Sequence, residues 1–190
     1  MKLKDIIAEY ISGDWGNETS SNDAYCAVYC VRGADILPLS KQDYTDIPLR
    51  YISRRALLNK SLKPGDLVIE KSGGSPTQST GRIAFISTDL IEMKGNVVCS
   101  NFCNAIRLNE KWYPKFVYYY WQYIYNAGVF FNFEGKTSGL KNLQFDNALN
   151  TIDIPEFPLS QQKIIAETLS KLEQKMAINR EINRNLSLTA

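Results

Sequence analysis

The residues best equipped for chemistry are two matched cysteine pairs, Cys26 with Cys30 and Cys99 with Cys103, because paired thiolates are what a structural zinc ion takes. Their setting argues against it. Tyr25–Val31 and Val97–Cys103 read as strands, where residues four apart share a face roughly 13 Å from each other, while zinc needs its sulfurs about 2.3 Å from a common ion. Free, half-buried thiols are the better reading. Short acid-lysine groupings, Asp66, Glu70 and Lys71 in one place and Glu134-Gly135-Lys136 in another, contain the parts of a metal-dependent nuclease: carboxylates for Mg²⁺ beside a lysine. Such spacings also arise by chance. The chain has no histidine, which removes the commonest general base and the usual Ser-His and Cys-His pairs. Neither a phosphate-binding Gly-x4-Gly-Lys-Ser/Thr loop nor the glycine-rich loop and catalytic tetrapeptide of base methylases is present. The sequence therefore leads to no catalytic residue, no metal site and no cofactor.

Residue types suited to binding are better represented. Between Ile47 and Lys63, Arg50, Arg54, Arg55, Lys60 and Lys63 are interleaved with Leu49, Ile52, Leu57, Leu58 and Leu62, with no acid among them. Such a face can neutralise phosphates and add salt-dependent affinity without reading sequence; it can equally be an ordinary solvated surface helix. Two polar loops follow, one from Lys71 through Gly73-Gly74-Ser75-Pro76 to Arg82, the other from Glu134 to Asn142. Their candidate contacts are Lys71, Gln78 and Arg82 in the first and Lys136, Lys141 and Asn142 in the second, alongside Arg54, Arg55 and Lys60 for phosphates.

The elements that must position these residues are mixed. Apolar residues at 3, 6, 7, 10 and 11 suggest a short amphipathic helix over Leu3–Ile11, ended by Gly13. Tyr25–Val31 is a strand, and Pro64-Gly65 turns the chain into a buried strand that pairs with Ile83–Ile86 as a long hairpin. Twelve of the 22 aromatic residues fall between Trp112 and Phe133. Pro114 suits the first turn of a helix there, Val117, Tyr120, Trp121 and Ile124 share one face, and Gly128 closes it. Most of these rings are core; Tyr118, Tyr119 and Tyr123 are assigned to the outer face, free to stack on bases or cover a partner. An extended run, Leu149–Pro155, precedes a helix for which Ser160 is the expected N-cap, and no Gly or Pro interrupts it to the end.

That helix carries Ile165, Leu169, Leu172 and Met176 at steps of four, three and four, continued by Asn179, Asn183 and Leu186 with Ile178 and Ile182 to the side. Buried amides on such a seam penalise wrong registers and partners. The stripe is a seam for a second helix or, alternatively, folds back on its own domain. Composition sets the frame: 190 residues, 44% hydrophobic and a net charge of +2 describe one packed domain plus a rod, with nucleic-acid binding left to local clusters. No apolar run has transmembrane length and the first residues do not form a secretory signal, so a cytoplasmic location is expected.

In this order, the features resemble the specificity subunit of type I restriction-modification systems. The matching residues are Leu3-x-Asp5-Ile6-Ile7 with Gly13, Val31-Arg32-Gly33-Ala34-Asp35-Ile36, Leu62-x-x-Gly65-Asp66-Leu67-Val68-Ile69, Thr137-Ser138-Gly139-Leu140-x-Asn142-Leu143, and Ile154-Pro155-x-x-Pro158-Leu159-x-x-Gln162-x-x-Ile165. The family's usual Pro-Pro-Leu-x-Glu-Gln is Phe157-Pro158-Leu159-Ser160-Gln161-Gln162 here, which loses a proline and an acid but keeps the helix start readable. The resemblance implies an α+β fold: a mixed α/β target-recognition domain over 1–155, and over 156–190 a long coiled-coil-type helix that pairs with a second and docks partners. It implies double-stranded DNA as ligand, a modification (methyltransferase) subunit and a restriction (motor/endonuclease) subunit as partners, and no chemistry of the chain's own. Full subunits of the family carry two such domains and two such helices; this chain resembles half of one, either a natural or truncated half that forms a homodimer, or a fragment beside a second half-subunit. The competing readings are a metal-dependent nuclease and a protein-interaction scaffold.

Overall fold

One antiparallel sheet is apolar on both faces, and the rest of the chain is layered against it. The computed structural model describes residues 1–20, 25–73, 77–136 and 141–188. A 3-10 turn at Leu3–Ile6 leads into β1 (Ile7–Ser12), followed by β2 (Tyr25–Val31), α1 (Ile36–Ser40), β3 (Leu49–Ser53) and α2 (Arg54–Lys60). Next come β4 (Leu67–Glu70), β5 (Ser72–Gly73), β6 (Ile83–Phe85), α3 (Thr88–Lys94), β7 (Val97–Cys99) and β8 (Cys103–Leu108). The aromatic helix α4 (Pro114–Asn126), β9 (Glu134–Lys136), β10 (Lys141–Leu143), α5 (Phe145–Thr151) and the long α6 (Leu159–Leu188) complete the order. The α+β class read from the sequence holds.

The central sheet has the order β1-β8-β4-β6 and is antiparallel throughout. All four residues of β4 are buried because it lies inside the sheet with both faces covered. Alternation then sorts its side chains. Leu67 and Ile69 join Ile83, Ile106 and the rings of α4 on one face, whereas Val68 joins Ala84, Ala105, Leu90 and Val97 on the other. A second sheet, β3-β2-β7, covers that other face, with β2 antiparallel to β3 and parallel to β7. A small third sheet, β5-β10-β9, stands at the end of the hairpin.

Four expectations are corrected. Leu3–Ile11 is not a helix beyond its first turn: Ile7–Ser12 pairs with β8 instead, because strand pairing places Ile11 in the core and the β-branched isoleucines suit a pleated surface. Gly13 does not cap a helix but lets the chain touch the next turn, since a Cβ there would lie 1.8 Å from the Ser100 carbonyl oxygen. Val97–Cys103 is two strands joined by a turn at Ser100-Asn101-Phe102, so Cys99 and Cys103 are neighbours, the Cys99 thiol 3.9 Å from the Cys103 carbonyl oxygen. The run Leu149–Pro155 is helical through Thr151, and only Asp153 pairs as a bridge, with Lys2.

Tyr118 and Tyr119 are also buried, not outward, for α6 begins by packing on α4. The Tyr119 hydroxyl donates to Glu173 Oε2 at 2.7 Å and lies 3.0 Å from Ser170 Oγ. Burial, then the Glu173 hydrogen bond, holds the Tyr119 hydroxyl well above the usual phenol range. Gln162 is the other anchor. It is 1% exposed; its Oε1 accepts from Tyr113 N at 2.8 Å, and its Nε2 donates to the Phe157 and Lys111 carbonyls at 2.8 and 3.2 Å. Ala166 is buried next to it and Ile165 half-buried, and the helix stays in touch with the body as far as Glu173. Helix α6 starts at Leu159, so Ser160 lies in its first turn.

Candidate nucleic-acid interface

Strand β10 brings the two polar loops together. It pairs with β5 on one side, Asn142 opposite Ser72, and with β9 on the other, Lys141 opposite Lys136. The short β5 is fixed in turn by the β7–β8 turn, because the Phe102 carbonyl accepts from both Lys71 N and Ser72 N, at 2.8 and 3.1 Å. Ser72 and Asn142 thus share one face of this small sheet, with Ser72 Oγ 2.5 Å from Asn142 Oδ1, and alternation turns Lys141 to the other. Lys141 reaches Glu134 Oε2 at 3.0 Å, lies 5.3 Å from the Phe131 ring centroid and touches the Gln78 carbonyl at 3.5 Å. The loop tip Gly74-Ser75-Pro76, the segment Thr137-Ser138-Gly139-Leu140 and the Lys136 side chain lie outside the described residues.

Arg82 stands apart from this surface as a brace. Its guanidinium forks onto Glu70, Nε to Oε2 at 2.8 Å and Nη2 to Oε1 at 2.5 Å. Gly33 and Gly73 close over the same carboxylate: a Cβ at either would lie 2.5 or 2.6 Å from Oε1. A side chain at either position would push Glu70 from its fork onto Arg82, and at Gly73 the φ of +145° asks for glycine as well.

The basic cluster divides in a similar way. Arg50 is 8% exposed, stacked 4.0 Å over the Trp15 ring and paired with Glu18 at 3.2 Å. Lys60 donates to Asp14 Oδ2 at 3.0 Å and the Gly13 carbonyl at 3.2 Å. Arg54 and Arg55 occupy the first turn of α2 after the Ser53 cap, exposed, and make no ion pair among the described residues. The stretch read as one basic face, or alternatively as a solvated surface helix, is a strand followed by a helix of seven residues, which separates Arg50 from Arg54 and Arg55.

Two clefts that share Trp15 and Asn101 lie in this part of the body. Beside Ser53 and Ala56 at the start of α2 is a depression that reaches Trp15 and Asn101; a second of about 470 Å³ continues from Trp15 and Asn101 past Phe102 to Ser72 and Gly73. Trp15, Asn101 and Phe102 are the residues sequence reasoning missed. The available signal was Ser100-Asn101, a pair that favours turns, interrupting an otherwise apolar run.

The carboxylates suggested for a nuclease are engaged elsewhere. Asp66 accepts Arg107 Nε at 2.9 Å and Nη2 at 2.8 Å, Glu70 holds Arg82, and Glu134 holds Lys141 and the Thr80 amide. No group of three or more Cys, Asp or Glu that could hold a metal occurs among the described residues. All four cysteines are free, Cys30, Cys99 and Cys103 in the core. Burial pushes the Cys30 thiol up to about 12 and that of Cys103 to about 11.

On α6, Leu169 borders a groove with Tyr119, Tyr123 and Phe157. Further along, Leu172 is 53% exposed, and Met176, Ile178 and Ile182 are comparably exposed. Asn179 and Asn183 are exposed too, and the Leu186 side chain lies outside the described residues. The first turns of the helix are docked on the body while the rest of the stripe faces outward, so the fold-back alternative holds only at the root.

No helix among the described residues is long and apolar enough to cross a membrane. Comparison with curated proteins by sequence gives no match. Among solved structures, a chain from a study of complex assembly and conformational transition of the type I R-M system is similar at 16% identity and a TM-score of 0.62, covering 100% of this chain and 41% of that one. The type I restriction-modification S subunit from M. genitalium gives 16% and 0.58, covering 98% and 42%. The HsdS subunit from Thermoanaerobacter tengcongensis gives 15% and 0.56, covering 96% and 38%. The likeness is one of fold, and the chain spans about two fifths of the length of these structures. Residues 56–188, from α2 to the end of α6, match the family of the type I restriction modification DNA specificity domain, and the chain belongs to that family.

Proposed function

We propose that this chain reads one half of a split duplex DNA site as the specificity component of a type I restriction-modification assembly. Membership of a DNA specificity family makes DNA the ligand to account for. The observation that carries the reading further is a pair of clefts that share Trp15 and Asn101, one bordered by Ser53 and Ala56, which flank the exposed Arg54 and Arg55 in sequence, and the other by Phe102, Ser72 and Gly73. Arg54 and Arg55, which make no ion pair among the described residues, offer cations for phosphates, and the Ser72 and Asn142 side chains offer hydrogen-bonding groups for base edges. The carboxylates that would serve a nuclease are neutralised by arginine and lysine, which favours a purely binding role.

Methylation and cleavage belong, in this reading, to a modification subunit and a restriction subunit that the chain directs in the cytoplasm. Residues 1–155 form the reader, and 156–190 the helix that holds it at a set distance from a second copy or a second half-subunit and docks the modification subunit. The stripe Leu172, Met176, Ile178 and Ile182 supports pairing, because a rod of 30 residues, about 45 Å, leaves it in water when alone. A symmetric pair would read an interrupted palindrome.

The test is duplex binding by the purified full chain, then co-expression with a modification subunit and mapping of methylated adenines. Specific binding that survives excess competitor DNA, with methylation of one sequence, is the expected result. No duplex binding even at low salt would leave the interaction scaffold as the better account, and cleavage or methylation by the chain alone would overturn the binding-only role.

A further inference from the structure

The β7–β8 turn is a rigid loop that carries an exposed ring. The Phe102 side chain is 55% exposed, yet the backbone around it is tied from three directions. The Phe102 carbonyl accepts two amides of β5, the Ser100 amide donates to the Val31 carbonyl at 2.9 Å, and the Asp14 amide donates to the Cys99 carbonyl at 2.7 Å. Asn101 Oδ1 accepts the Trp15 amide at 3.2 Å, and Gly13 presses on the Ser100 carbonyl where no side chain fits. A phenyl ring in water is ordinary; one held by a fixed turn on the wall of a cleft, beside Trp15, Ser72 and Gly73, is presented to whatever occupies that cleft.

We propose that Phe102 is a specificity-determining residue, whose ring packs against the 5-methyl group of a thymine at one fixed position of the half-site. The proposal rests on the DNA-reading function above. The chemistry is selective because the ring cannot exchange hydrogen bonds, and the thymine methyl is the apolar feature that base pairs present in the major groove. Phe102 lines the cleft with Trp15, Ser72 and Gly73 and offers its ring there as a face for apolar contact.

The experiment is selection of bound duplexes from a randomised pool by the full chain and by its Phe102→Ala and Phe102→Leu variants, followed by affinity measurement on the selected site. The wild-type chain should select a site with thymine at one position, and Phe102→Ala should lose preference there alone while keeping the others. Replacing that thymine by deoxyuridine removes only the methyl group; it should weaken wild-type binding about fourfold, the effect of one buried methyl, and leave Phe102→Ala binding unchanged. Phe102→Leu, which keeps an apolar contact, should retain most of the preference. Unchanged preferences in Phe102→Ala, or an equal loss on every sequence, would overturn the assignment while leaving the DNA-reading function intact. A wild-type chain that selects no sequence would overturn both.

Discussion

Replacing Gln162 by leucine should detach the long helix from the body, at a cost the structure allows to be worked out. The amide makes three hydrogen bonds in a site only 1% exposed, and its Oε1 is the acceptor for Tyr113 N at the start of α4. Leucine has a similar volume but leaves that buried N–H unpaired, which costs about 2 kcal/mol, and removes the two bonds to the Lys111 and Phe157 carbonyls, about 1 kcal/mol each. The more apolar side chain returns about 1 kcal/mol through burial. The net loss is about 3 kcal/mol, a fall of roughly 6–12 °C in Tm for a chain of this size. Urea unfolding of Gln162→Leu beside the exposed-site control Gln161→Leu is the assay. A loss below about 1 kcal/mol with unchanged m-value would show that the glutamine clamp does not hold the helix and would refute the reasoning.

Other consequences are open to direct measurement. Arg54→Ala with Arg55→Ala should weaken binding to all duplexes alike and reduce the slope of log K against log salt by roughly two contacts; an unchanged slope removes the α2 turn from the footprint. Charged replacements at Leu169 and Leu172 should give a species that sediments as a monomer where the parent sediments as a dimer, and identical sedimentation would rule out pairing through the stripe. Thiol titration of the native chain should label Cys26, which is partly exposed, and spare Cys30, Cys99 and Cys103 until denaturant is added. Stability should also fall above pH 9. The unfolded thiols release protons near their ordinary value of 9.0 while Cys30 and Cys103 hold theirs to about 12 and 11, so the unfolded state binds fewer protons, and each group removes up to about 1.4 kcal/mol per pH unit until its folded value is reached. Urea midpoints at pH 8, 9 and 10 check the sign; a midpoint that rises would contradict it.

Where local pattern and tertiary environment agree, the residues announce their structure. Pro114 opens α4, Gly128 follows it at a φ of +77°, and Pro64-Gly65 delivers the chain into β4, all as the sequence suggests. The failures have a common physical origin in partners far away in sequence. Ile7 and Ile11 satisfy a helical period and a strand period at once, and pairing with β8, about a hundred residues on, decides between them. The candidate site shows the same limit. The residue types suited to binding could be named, but Lys60 is taken up by Asp14 and Arg82 by Glu70 through folding alone, while the Phe102 ring becomes exposed because two strands end on either side of it. Spacing identifies which side chains can bind; only the fold decides which are still free to.

The first residues of the chain are stitched to the base of the long helix. Leu3 N donates to the Ile152 carbonyl at 3.0 Å, Ile154 N to the Met1 carbonyl at 2.8 Å, and Lys2 Nζ reaches Asp153 at 2.8 Å. Residues 2 and 153 are thus adjacent, and everything between them is a loop of chain closed at its neck. Lys111, Tyr113 and Tyr119 inside that loop also hold Gln162, Ser170 and Glu173 of the long helix, so any segment exchanged between residues 2 and 153 has to carry those contacts with it to keep the helix in place.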